Sequence, residues 1–269
     1  MNRKLGMNCD CIRHGQWSHA QTLELMKELG FDNFFIENNG ELEQIDEAKQ
    51  VGDRLGLEFS FIHAPYKGVN ELWMEGDGCR SLLDSIFRTA DAARDNEVST
   101  IICHVASGWH TPPLCDLGFS RFDEIVDYTG KQGVKVAFEN VRKLGDLASI
   151  MHRYADVSHV GFCFDSGHEH CYTETVPFID LYHSRMWCTH LHDNFGRDHN
   201  NLEADGDFHF LPFDGNYDFK TMIDRMDKYG YAAPLTLEVF NTTRQAYKEM
   251  TPEAFIRTAF DRAKRISLL

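Results

Sequence analysis

The stretch of sequence that decides the fold is 134–165, "VKVAFENVRKLGDLASIMHRYADVSHVGFCFD". Two short apolar runs, 134–139 and 160–165, predict buried strands, and the segment between them predicts a helix. Strands that are buried on both faces are typical of parallel sheets, in which helical crossovers cover them. The first run ends in Glu139 and the second in Asp165. The stretch therefore predicts a βαβ unit with an acid at the carboxyl end of each strand.

The same unit recurs along the rest of the chain. The predicted strands are 4–8, 33–37, 57–63, 99–104, 134–139, 160–165, 186–192 and 235–240. Helical patterns lie between them, among them 18–30, 79–96, 119–132, 146–154, 176–183 and 217–229. Ser18 and Gln21 have the spacing of a capping box, and Thr251 with Pro252 can begin the last helix. Eight such units in 269 residues favour a closed α/β barrel over an open sheet. We therefore predict a single (β/α)8 TIM barrel domain that covers 1–269.

The composition and net charge of the chain limit the kinds of molecule that it is expected to bind. The chain has 42 acidic and 27 basic residues, a net charge of −15, which repels nucleic-acid phosphates and anionic lipids. We therefore expect neither a nucleic-acid partner nor a membrane partner. The eight cysteines form no C-x-x-C pair, and the start of the chain lacks the apolar region of a signal peptide. Free thiols in the cytoplasm are the expected state, and whether the chain forms a homo-oligomer stays open.

Side chains that can bind a metal stand at the ends of most predicted strands. They are Glu37, His63, His104, Glu139, Asp165, the pair His190 and His192, and Glu238 within the last strand. The carboxyl ends of barrel strands face one common bowl, so these residues should converge. A lone histidine at a strand end is more often a core or rim residue, but the joint pattern predicts a metal site. Mixed imidazole and carboxylate ligands suit zinc, manganese, iron or cobalt.

Two further groups of residues point to a metal site only when they are considered together with the residues at the strand ends. Asp207 and His209 lie two residues apart, so their side chains share a face if the segment is extended. His168 follows Asp165 by three residues. Taken alone, the first pair fits a solvated acidic loop, and His168 fits a surface histidine.

Seven short motifs, which follow one another along nearly the whole chain, resemble those of a known protein family. They are "FIHAPY", "ICHVASG", "VAFENV", "CFDSGH", "THLHDN", "DFHFLPFDGNYDF" and "LTLEVF". Together they resemble the xylose isomerase-like barrel superfamily, which includes sugar isomerases and epimerases, inosose dehydratase relatives and the DNA-repair enzyme endonuclease IV.

The resemblance to the sugar-processing members implies one metal held by four ligands. The residues that match these ligands are Glu139, Asp165, His190 and Glu238. The family pattern H-x-x-D, here "HLHD", selects His190 rather than His192. His192 is then a neighbour that could face the other side of the strand.

The first function that the resemblance implies is a metal-dependent isomerase or epimerase of a sugar, sugar phosphate or polyol. Glu139 and Glu238 would move a proton between adjacent carbons while the metal stabilises an enediolate. His63, His168 and Arg142 are candidates for binding substrate hydroxyls. For Arg142, a surface salt bridge is the slightly favoured interpretation.

The second function is an endonuclease IV-like zinc phosphodiesterase acting on abasic DNA. That enzyme binds three zinc ions with a larger set, whose additional members match His63, His104, His168, Asp207 and His209. Against it stand the net charge and the scarcity of basic residues in the loops at 8–17 and 38–47. An inosose dehydratase-like lyase on the same scaffold also stays open, as do the sugar and its phosphorylation.

Overall fold

The computed structural model describes residues 3–13, 15, 17–174 and 176–269. Its strands are β1 (Leu5–Asn8), β2 (Asn33–Glu37), β3 (Glu58–His63), β4 (Thr100–Cys103), β5 (Lys135–Glu139), β6 (Val160–Asp165), β7 (Met186–His190) and β8 (Leu235–Leu237). They form one parallel sheet in the order β7-β6-β5-β4-β3-β2-β1-β8. The sheet closes because the Leu191 amide donates to the Thr236 carbonyl (2.9 Å) and the Glu238 amide donates to the Leu191 carbonyl (3.1 Å). The predicted TIM barrel is confirmed.

Helices follow the strands around the barrel. They are α1 (His19–Leu29), α2 (Glu43–Leu55), α3 (Arg80–Asp95), α4 (Asp116–Gln132), α5 (Leu144–Arg153), α6 (Ser166–His168), α7 (Phe178–Tyr182), α8 (Phe219–Lys228), α9 (Gln245–Lys248) and α10 (Pro252–Ser267). Short 3-10 helices cover Val69–Trp73 and His183–Arg185, and a π-helix covers Glu169–Thr173.

Two helix termini lie where local sequence signals predicted them. Ser18 caps α1 in the predicted capping box, and the Thr251 hydroxyl accepts a hydrogen bond from the third residue of α10. Most helix boundaries differ from the prediction by one to three residues, and two of these differences have a clear physical cause. α4 begins at Asp116 rather than at 119, with that acid in the first turn where the helix dipole favours it. The helix predicted for 176–183 is reduced to α7, since the ring of Pro177 prevents a helix from continuing through it.

The interior of the barrel forms the floor beneath the carboxyl ends of the strands. Its buried residues are Phe35, Phe61, Ile102, Ala137, Cys163 and Cys188. The rings of Phe35 and Phe61 stack with centroids 4.6 Å apart, and the Phe35 ring also stacks on the imidazole of His190 at 5.0 Å. This aromatic floor fixes the orientation of His190 at the end of β7.

The cysteines and the helices give two further observations. No disulfide links the eight cysteines, all of which lie within the described ranges. Among the described residues, no helix has both the length and the apolar character that crossing a membrane requires.

Candidate metal centre

Four side chains meet at the carboxyl ends of neighbouring strands. Glu139 ends β5, Asp165 ends β6, His190 ends β7, and Glu238 follows β8 by one residue. All four are buried, and one ligand atom from each lies within 4.8 Å of the others. The His190 Nδ1 lies 3.3 Å from the Glu139 Oε2 and 3.5 Å from the Glu238 Oε2. The fold therefore brings together the four residues that the sugar-enzyme resemblance implied.

Two histidines contact this group from the side of β3 and β4. His63 Nε2 and His104 Nε2 lie 3.3 Å and 3.1 Å from the Glu139 Oε2. The His63 Nδ1 donates to the Ala64 carbonyl at 2.8 Å, so a neutral His63 ring has no proton on Nε2. Two acceptors would then face each other, which is unfavourable unless the ring is protonated or a cation lies between them. A backbone carbonyl that holds one imidazole nitrogen is also the usual arrangement around a metal-binding histidine.

The long loop after β7 supplies part of the opposite wall. The His168 Nε2 lies 3.0 Å from the Asp207 Oδ2, and the His209 Nε2 lies 3.2 Å from the Asp207 Oδ1. The backbone of His209 is left-handed, with φ of 45°, which costs about 1–3 kcal/mol for a residue with a Cβ. This strained turn places the His209 Nδ1 3.6 Å from the Glu238 Oε2. Asp207, His209 and His168 thus belong to the bowl rather than to a solvated surface.

His192 also lies in the bowl, so the expectation that it could face the other side of its strand is wrong. Its Nε2 is 3.1 Å from the Asp165 Oδ1, and its ring stacks on that of His209 with centroids 4.0 Å apart. The chain stays extended beyond β7, and residues two apart in an extended chain point to the same face. The Ser166 hydroxyl fixes this segment, since it donates to the His192 carbonyl (2.8 Å) and accepts from the His192 amide (3.0 Å). The H-x-H spacing was the sequence signal for this placement.

Two carboxylates of the centre, those of Glu139 and Asp165, are held in the ionised form. Burial by itself would raise the pKa of Glu139, but the positive charges of His190 and His104 lower that pKa well below its ordinary value. Burial likewise opposes ionisation of Asp165, and the charge of His168 is the largest influence that keeps its pKa below the usual value. The buried negative charge therefore depends on nearby positive charge.

The donor set fits a divalent metal. His190 is completely buried, yet neither of its ring nitrogens makes a hydrogen bond with any described residue. Buried polar groups are almost always hydrogen-bonded, so an imidazole that lies beside carboxylates without a hydrogen bond is the arrangement expected of a metal ligand. Glu139, Asp165, His190 and Glu238 would supply three negative charges and one nitrogen ligand. That mixture suits manganese, iron, cobalt or zinc.

The bowl around this centre has a volume of about 160 Å³. Arg13, from the loop after β1, lines it and was not singled out in the sequence. Its Nη2 donates to the Glu37 Oε2 at 2.5 Å, and its guanidinium lies 4.2 Å from the centroid of the Phe240 ring. Glu37 therefore neutralises an arginine, although its place at a strand end had suggested a metal ligand.

Arg142 lies outside the bowl. Its Nη2 donates to the Asp205 Oδ1 at 2.9 Å, and its guanidinium is 4.1 Å from the centroid of the Tyr172 ring. The Tyr172 ring in turn stacks on the imidazole of His168, with centroids 5.3 Å apart. The structure thus brings Arg142 next to a wall of the bowl without making it a lining residue.

His192→Ala is expected to weaken metal binding by about 10- to 100-fold, the usual effect of removing a group that orients a ligand. The physical reason is the contact between the His192 Nε2 and the carboxylate of Asp165. Competition with a chromogenic chelator measures the affinity, and His183→Ala, at a mostly exposed histidine stacked on Tyr229, is the control. Unchanged metal affinity in His192→Ala would remove this residue from the centre.

Comparisons with known proteins agree with the barrel fold. The family model for the xylose isomerase-like TIM barrel matches residues 23–265. An uncharacterised protein of Sinorhizobium fredii is 31% identical over 127 residues, which are 45% of this chain and 38% of that protein. The chain thus matches less than half the length of this relative. An uncharacterised protein of Methanocaldococcus jannaschii is 22% identical over 240 residues, which are 82% of this chain and 79% of that protein.

Solved structures share the same fold at low sequence identity. D-psicose 3-epimerase of Clostridium cellulolyticum has a TM-score of 0.77 and 14% identity, with 97% of each chain covered. The 3-keto-D-glucoside 4-epimerase of E. coli has a TM-score of 0.73 and 16% identity, with 97% of this chain and 100% of that chain covered. The family model covers most of the sequence, so the chain belongs to the xylose isomerase-like TIM barrel family.

Proposed function

We propose that the protein is a metal-dependent isomerase or epimerase of a sugar. The observation that carries the proposal is that Glu139 at the end of β5 and Glu238 just after β8 both reach the His190 Nδ1, at 3.3 Å and 3.5 Å, within the same buried cluster. Two acids that can reach one small substrate suit a reaction in which a proton leaves one carbon and arrives at another position. The similarity to sugar epimerases of the same fold supports this class of chemistry.

The residues of the centre would have different roles in the reaction. One of the two glutamates removes a proton from the carbon next to the carbonyl, and the other returns a proton to the adjacent carbon or to the opposite face. The lowered pKa of Glu139 keeps this group as a carboxylate, the form that accepts a proton. Asp165 and His190 complete the ligand set. A divalent metal, when bound, would polarise the carbonyl and stabilise the negative charge that develops beside it.

Histidines around the two glutamates would orient the hydroxyl groups of the substrate. His63 and His104 lie on the Glu139 side, and His209 lies on the Glu238 side. Their ring nitrogens converge on the same small volume, so a sugar bound there would exchange hydrogen bonds with several of them. The small size of the bowl also limits how much water accompanies the substrate.

A nuclease is the second candidate, since the larger histidine set also converges. His63, His104, His168, Asp207 and His209 all contact one another or Glu139. This geometry would suit more than one zinc ion.

Electrostatics nevertheless favours the sugar enzyme. Arg13 is paired with both Asp10 (3.2 Å) and Glu37, and Arg142 is paired with Asp205. Binding of a DNA duplex depends on several unpaired basic groups that displace counterions from the phosphates. A chain with a net charge of −15 that neutralises these two arginines is poorly suited to that task.

Exchange of substrate hydrogens with solvent tests the proposal directly. The metal-loaded protein is incubated in D₂O with ketoses, aldoses and their phosphates, and proton NMR follows each C–H signal. We expect one substrate class to lose the signal of the hydrogen next to the carbonyl and to form an isomer or epimer. The same protein, supplied with zinc, is expected not to incise an abasic duplex, with endonuclease IV as the positive control. Catalytic incision without any sugar exchange would replace the proposed function by the nuclease.

A further inference from the structure

A groove of about 690 Å³ extends from the bowl across the loops that follow β2 and β3. It shares Glu37, His63 and Tyr66 with the bowl and reaches Ser85 on α3 and Ser107 beyond β4. The bowl alone measures about 160 Å³. The groove therefore adjoins the metal centre, and a molecule that reached across both would place only part of itself beside the two glutamates.

Tyr66 stands where the bowl opens into the groove. One face of its ring stacks on His104, with centroids 4.4 Å apart and an interplanar angle of 24°. Since 44% of the residue is exposed, the hydroxyl edge and the second face stay open. Aromatic faces contribute large, geometrically defined apolar contacts, and the C–H face of a sugar ring is a suitable partner for such a surface.

The walls of the groove are held by hydrogen bonds within the protein. The Asn38 side chain donates to the Thr89 hydroxyl (2.7 Å) and accepts from the Gly40 amide (2.8 Å). The Asn70 side chain donates to the Ser107 carbonyl (2.7 Å) and accepts from the Ser107 amide (2.9 Å). These pairs fasten the loops to α3 and to each other, so the groove is already formed before a ligand arrives, which reduces the entropy cost of binding.

The groove presents both neutral polar groups and an aromatic face. Within the described ranges, the Asn39 amide, the Tyr66 hydroxyl and the Lys67 amine make no hydrogen bond. The lining carboxylate of Glu37 is bound by Arg13. A phosphate or carboxylate would meet only one exposed cation, Lys67, while a plain alkyl chain would leave the amide and hydroxyl unpaired.

We propose that this groove binds a second, uncharged sugar unit, so that the substrate is a glycoside or disaccharide rather than a free monosaccharide. A sugar ring has an apolar C–H face, which can pack on the Tyr66 ring, and a rim of hydroxyls, which can bind the polar groups of the groove. The inference rests on the proposed function, because it assumes that the first unit lies beside the metal centre.

The test is calorimetric binding to the metal-loaded protein, with no need for turnover. D-fructose is compared with its glucosyl derivatives turanose, maltulose, leucrose and isomaltulose, and D-glucose with maltose, cellobiose and isomaltose. We expect at least one of these disaccharides to bind about tenfold more tightly than its parent monosaccharide. Ser85→Trp, which fills the groove from α3, is expected to bring that ratio of affinities close to one. Ser81→Trp, one turn earlier on α3 and exposed, is the matched control and should leave the ratio unchanged.

Two results would overturn the inference while leaving the proposed function intact. One is that monosaccharides bind and every disaccharide binds no more tightly. The other is that Ser85→Trp keeps the full preference for the disaccharide. If sugars of neither class bind, both the inference and the proposed function are contradicted.

Discussion

Glu139→Gln and Glu238→Gln are each expected to lower kcat for the sugar reaction by about 10³-fold, within the range that general acid–base groups contribute. Glutamine keeps the shape of glutamate and can still offer an oxygen, but it cannot accept or return a proton at neutral pH. Both side chains lie in one buried cluster with Asp165 and His190, so solvent is poorly placed to replace them. The loss should therefore appear in kcat rather than mainly in KM.

Solvent exchange of the substrate hydrogen and steady-state turnover measure this effect, with metal content determined in parallel. Glu169→Gln is the matched control, since Glu169 is also buried but accepts hydrogen bonds from the Phe178 amide and the Tyr217 hydroxyl, away from the centre. Burial raises the pKa of Glu169 to about 7, so an uncharged amide is a mild replacement there. A glutamine variant that keeps both its metal and the wild-type rate would exclude that glutamate from proton transfer.

His190→Ala is expected to reduce bound metal from about one ion per chain to below about a tenth, together with the stability that the metal confers. Saturation at 1,000 times Kd stabilises a protein by about 4 kcal/mol, so the rise in Tm on adding metal should disappear in the variant. The ring nitrogens of His190 make no hydrogen bond with any described residue, so removal of the ring breaks none. Its ring instead contacts Glu139, Glu238 and the aromatic floor.

Elemental analysis and thermal melts with and without metal measure this second effect. His159→Ala is the control, because the His159 Nε2 donates to the Val126 carbonyl at 2.9 Å and the residue directly precedes β6, at the end of the strand opposite to the centre. That variant should lose some stability and keep its metal. Full metal content in His190→Ala would show that the four-residue site does not hold the ion.

The fold could be predicted because its signals are local. Each βα unit has an apolar run of strand length, a helical pattern and turn residues, and every strand lies within a few residues of its prediction. The displaced helix boundaries at Asp116 and Pro177 depend on the acid in the first turn of α4 and on the backbone geometry of proline, which apolar spacing does not reveal.

From the residues alone, the part of the site that could be predicted is the part that lies at the strand ends. Glu139, Asp165 and His190 each end a strand, and their convergence follows from barrel geometry alone. The entry of Arg13 into the bowl could not be predicted, since it depends on the path of the loop after β1 and on pairing with Glu37.

The sequence by itself determined the barrel and the residue types at its carboxyl ends, because apolar periodicity and side-chain chemistry are local properties of the chain. Only the tertiary structure decided that His192 faces inward, that Arg142 pairs with Asp205 outside the bowl, and that a groove leads past Tyr66. These features depend on how loops distant in sequence pack against one another and on which rotamer each side chain adopts. Such contacts are set by the closed barrel as a whole, so no single stretch of sequence contains them.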